Sequence, residues 1–115
     1  MADSAFYINY KSQRTGDYDF LHMVKAYYEL MNEFPFPQEA CVQHYQSEAY
    51  KCFMAEYAVP FIKSPIFIIE SAYDKFKIPG ILQSPCTSLA KCSADNLEAI
   101  HKYYSYQREK MREIL

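Results

Sequence analysis

The sequence predicts an α/β fold, and within it one strip of a doubly wound parallel sheet. Pro65, Ile66, Phe67, Ile68, Ile69 and Glu70 form a short β-branched and aromatic run that gives way to Ser71, Ala72, Tyr73 and Asp74. A run of this length and composition reads as a strand buried on both faces, the pattern of parallel sheets. Apolar residues at helical spacing stand before and after it. Only one other segment has strand composition, so the central strand lacks the flanking strands and the two layers of cover that it needs. The expectation is therefore a single partial domain over residues 1–115. In such sheets the ligand crevice lies outside the carboxyl ends of the strands, which puts Asp74 where an acid can take part in chemistry.

The elements follow in chain order. Residues 5–10 have strand composition, and residues 11–17, with Gly16, read as a turn. Asp17 or Asp19 caps a helix running to about Asn32, with Phe20, Val24, Tyr27, Tyr28 and Met31 at helical spacing. Phe34, Pro35, Phe36 and Pro37 break it. A short helix over 48–57 ends before Pro60, and the core strand at 66–70 follows. Residues 75–84 form a loop or a short helical turn, and residues 86–92 a loop. Ser93 or Asp95 then caps a long final helix that carries Leu97, Ile100, Tyr104, Met111 and Leu115 on one face.

Composition excludes several classes of function. The net charge of −2 argues against a polyanion-binding surface, and the sequence holds no phosphate-cradling glycine loop. Half of the residues are hydrophobic, which excludes disorder. The longest apolar stretch, over 58–69, is interrupted by Pro60, Lys63 and Pro65 and is too short to span a bilayer. No nucleic acid, membrane span, metal or cofactor is implied, and the oligomeric state is open.

Cys41, Cys52, Cys86 and Cys92 are an even set in a small chain, which points to two disulfides and an oxidising compartment. Their spacings of 11, 34 and 6 fit no common zinc pattern. Four cysteines allow three pairings, and the local one, Cys41–Cys52 with Cys86–Cys92, is expected. The opening Met1, Ala2, Asp3 and Ser4 lack the basic and apolar regions of a signal peptide. Two resolutions stand: the chain is a piece of a longer secreted protein, which is the preferred one, or its cysteines are free thiols in the cytosol.

Four blocks, in order, carry a resemblance. Asp3-Ser-Ala-Phe-Tyr-Ile-Asn9 is similar to Asp-Ser-Gly-Phe-Phe-Leu-Asp, and residues 34–41 to Leu-Pro-x-x-Cys. Cys52-Phe-Met, with the run from Pro60 to Tyr73 and Asp74, is similar to a cysteine with two aromatics, a threonine-proline strand and Asn-Ala-Ala-Tyr-Asp-Ser-Trp-Gln. Cys92-Ser-Ala-Asp-Asn-Leu, with Gln107 and Arg108, is similar to Cys-Ser-x-x-Gln-Leu and the helix after it. Together they resemble the pectin acetylesterases, the family that includes the Notum carboxylesterases.

The resemblance implies an α/β-hydrolase-type sheet, secretion, and hydrolysis of a carbohydrate or lipid ester. Asp74 would be the acid of a serine–histidine–acid triad, holding the histidine in its useful tautomer. The family's nucleophile sits in a Gly-x-Ser-x-Gly elbow before the first block. The two glycines here, Gly16 and Gly80, are 64 positions apart and cannot form one. The family histidine lies beyond the final helix. The chain is thus expected to be inactive alone. The alternative is a non-catalytic, disulfide-stabilised binding or interaction module derived from the same family.

Each candidate also has a plainer reading. An acid at a strand end commonly caps the next turn, which is the competing role for Asp74. Phe53, Met54, Tyr73 and Phe76 would flank a substrate pocket, or else pack the core. His22, His44 and His101 match no catalytic pattern and are expected near the surface. None of the nine serines sits on a glycine elbow.

Overall fold

A computed structural model describes residues 2, 3, 6–31 and 38–115. The expected break at 34–37 and part of the first expected strand lie outside them. Helix α1 spans Asp19–Leu30, α2 Glu39–Tyr45, α3 Ala55–Ala58 and α4 Ala94–Ile114. Strand β1, Ala2–Asp3, pairs in parallel with β2, Ile68–Ile69, with Ala2 opposite Ile68 and Asp3 opposite Ile69. Between α2 and α3 the chain winds as a 3-10 helix over Gln46–Phe53. A single π turn, Ile78–Leu82, follows β2.

Residues 6–10 differ from the expected strand. Phe6 and Ile8 point into the core and Tyr7 between them is half-buried, so the alternation holds over these three residues. Two of the segment's amides, however, are taken by carboxylates. Phe6 N donates to Glu70 Oε2 at 3.0 Å and Asn9 N to Glu56 Oε2 at 2.6 Å. An amide already used by a side chain is lost to a strand ladder.

The core gathers Phe6 and Ile8, Phe20 and Val24 from α1, Met54 and Val59, the apolar residues of the π turn, and Ile100, Tyr103 and Tyr104 from α4. Helix α4 starts where Ser93 Oγ accepts from Asn96 N at 3.3 Å, an N-cap of the usual kind. Ile100, Tyr103, Tyr104 and Gln107, spaced at three and four residues, form its buried stripe. On α1 only Phe20 and Val24 are buried, while Tyr27 and Met31 of the expected stripe are exposed.

The core strand is corrected in two respects. Ladder pairing covers two residues, and the run is not buried on both faces: Phe67 is 68% and Ile69 44% exposed. Among the described residues β2 has β1 as its single paired neighbour, which leaves the run short of cover. A pair this short fixes no strand order for a larger sheet.

Glu56 gives the fold a pH signature. Its desolvation raises the carboxyl above the usual 4.5, against the hydrogen bond from the Asn9 amide. A folded-state value above the unfolded one means that folding takes up a proton, so this contribution is present on the acid side and is lost as pH rises through the folded value. Glu56→Gln is therefore expected to flatten the decline in stability between pH 4.5 and neutrality. Urea midpoints of both proteins across that range would check it; parallel curves would refute it.

Candidate active site around Asp74

The polypeptide leaves β2 at Glu70, turns through residues 71–76, and enters the π turn. Asp74 stands in the middle of that turn and is half-buried. Its Oδ1 accepts from Phe76 N at 2.8 Å and from Lys77 N at 2.9 Å, which caps the following turn. Among the described residues its Oδ2 has no protein partner. The backbone of Asp74 is also held: Tyr104 OH on α4 receives the Asp74 amide at 2.5 Å and donates to its carbonyl at 3.3 Å. Burial is the main reason the Tyr104 hydroxyl is pushed up to about 12, so it stays protonated and able to donate at any ordinary pH.

Under the turn lies an ion pair that the sequence did not reveal. Lys77 Nζ meets Glu70 Oε1, the lysine side chain wholly buried and the glutamate nearly so. The ammonium lies 5.7 Å from the centre of the Tyr7 ring, and Glu70 Oε2 takes the Phe6 amide. Nothing in the sequence pairs positions 70 and 77, because it is the intervening turn that brings them together.

A cavity of about 460 Å³ opens beside the turn, with Glu70, Ser71, Tyr73, His101, Tyr104 and Gln107 in its wall. Tyr73 OH and His101 Nδ1 are 2.9 Å apart, in a bond that either partner can donate. Gln107 is buried and its Oε1 has no partner among the described residues. Asp74 lies just outside the wall.

The other candidates separate. Tyr73 lines the cavity. Phe76 is half-exposed; its ring is 5.8 Å from Tyr7 and closely covers Gly80, where an added Cβ would come within 3.3 Å of it. Phe53 stacks near Tyr28 at 6.2 Å, and Met54 is fully buried in the core. The last two do not line the cavity, since the 3-10 helix directs them toward α1 and the core instead. His22, His44 and His101 are exposed, and only His101 comes near the turn. The disulfides join Cys41 to Cys52 and Cys86 to Cys92. Among the described residues no group of histidines, cysteines and carboxylates could hold a metal ion, and no helix is long and apolar enough to cross a membrane.

The family model for pectinacetylesterase matches residues 1–114, nearly the whole chain. The chain belongs to the pectinacetylesterase family. No curated protein and no solved structure matches it. The two disulfides are in keeping with the extracellular setting typical of pectinacetylesterases.

Proposed function

We propose that this chain is the acid-bearing strip of a secreted serine carboxylester hydrolase that removes acyl groups, acetyl esters of a polysaccharide first among them. In this reading β1 and β2 belong to a larger α/β-hydrolase-type doubly wound sheet. Asp74 accepts the Nδ1–H of a histidine supplied elsewhere in the same protein. That histidine takes the proton of a serine as the serine attacks the ester carbonyl; the acyl-enzyme then yields to water. The observation that supports the reading is the division of labour within the Asp74 carboxylate. Oδ1 is fixed by two backbone amides, and Oδ2 is left for a further donor. A cap alone needs only the first oxygen.

The 115-residue chain by itself is expected to show no ester turnover, because no serine here sits on a glycine elbow. Purified chain, with intact disulfides, would be assayed on p-nitrophenyl acetate and on acetylated pectin. Turnover above buffer that disappears in Asp74→Ala would overturn this expectation. It would require a nucleophile within these residues.

A further inference from the structure

We infer that the buried Glu70–Lys77 ion pair is a positioning device for the Asp74 carboxylate. The inference rests on the reading of Asp74 as a triad acid and extends it to two residues that touch no substrate.

The geometry has three parts. Glu70 and Lys77 are the two ends of the turn that holds Asp74, so their side chains close its base. Lys77 also supplies, through its backbone amide, one of the two bonds to Asp74 Oδ1. Fixing the Lys77 side chain thus fixes an amide that fixes the carboxylate. Finally, Glu70 is anchored from its other oxygen by the Phe6 amide, and the Lys77 ammonium lies against the Tyr7 ring. The pair therefore ties the turn to the N-terminal segment as well as to itself.

Stability is a poor reason for such a pair. Removing two charges from water is offset only by good geometry, and replacing both partners with neutral residues of similar volume is often neutral or stabilising. What a buried pair does supply is a fixed distance between two points of the backbone, and here those points flank an acid whose orientation matters.

The test uses the 115-residue chain labelled with ¹⁵N, and amide hydrogen exchange at Phe76 and Lys77, the two donors to Asp74 Oδ1. Four variants are compared: Glu70→Gln, Lys77→Met, the double variant, and Lys77→Arg. The single neutral variants leave a buried charge unpaired and are expected to melt earlier. In the double variant the melting temperature is expected to return close to that of the parent. Exchange at residues 76 and 77 is expected to stay at least about tenfold faster than in the parent while the α4 amides are unchanged. Lys77→Arg, which keeps the charge, is expected to retain parental exchange. Parental protection at both amides in the double variant would overturn the inference. So would failure of the double variant to fold, which would make the pair a structural element only. If Asp74 proves irrelevant to turnover in a longer active protein, the esterase reading falls while the exchange result stands, so the two failures are distinguishable.

Discussion

Asp74→Asn is expected to lower kcat about 10⁴-fold, with little change in KM, in the longer protein that the proposed function requires. The substitution is chosen because asparagine keeps an Oδ1. Phe76 N and Lys77 N can still donate to it, so the cap and the turn survive. What changes is the other atom. Oδ2 becomes an NH₂ group, a donor facing the histidine, and a donor there favours the tautomer with its proton on the wrong nitrogen. The loss thus falls on the transition state, where the imidazolium forms, and not on substrate binding. Asp74→Ala would remove the cap too and add a stability loss of about 1 kcal/mol, which makes it the less informative variant. A kcat within tenfold of the parent in Asp74→Asn would reduce Asp74 to its capping role.

The local structure around Asp74 was partly legible from the residues, and the illegible part has a common cause. The β-branched run and the acid after it were readable, since strand composition and a turn carboxylate are local signals. Its burial was not. Counting apolar residues cannot say how many layers lie over them, and Phe67 and Ile69 are exposed. Helix α4 was readable from the Ser93 cap and the spacing of Ile100 and Tyr104. Its stripe also includes Tyr103 and Gln107, and a buried glutamine leaves no apolar signal.

The 48–57 region was misread as one helix. It is a 3-10 stretch followed by α3, and helix α2 before it was not anticipated; Gln46, at φ 49°, breaks the path between them. The Glu70–Lys77 pair was invisible for the same reason as the burial: it depends on where the chain returns, not on what any segment prefers. Phe53 and Met54 pack against the core, the plainer of the two readings their residue types allowed.

The two disulfides are expected to behave very differently despite similar loop lengths. Cys41–Cys52 closes 11 residues and Cys86–Cys92 closes 6. Chain entropy alone assigns these bridges about 3 and about 2 kcal/mol, too close to separate them. Burial separates them. Cys41 is fully buried and Cys52 nearly so, between α2 and the 3-10 helix, whereas Cys86 and Cys92 are half-exposed in a surface loop. A thiolate can reach the second bridge directly but must wait for local opening to reach the first.

Mild dithiothreitol is therefore expected to reduce Cys86–Cys92 first, with α1 to α3 intact. Cys41–Cys52 should yield only as the chain unfolds. Replacing Cys41 and Cys52 together by alanine adds lost core contacts to the entropic loss, for about 3–5 kcal/mol in all. On a chain of this size that lowers the melting temperature by roughly 10–25 °C. The same change at Cys86 and Cys92 is expected to cost less, about 2 kcal/mol, because little core packing is lost with it. Alkylation of timed samples followed by mass spectrometry gives the order of reduction, and calorimetry gives the two shifts. If Cys41–Cys52 is reduced first or matters less, the packing of α2 against the 3-10 helix is not what holds this half of the chain together.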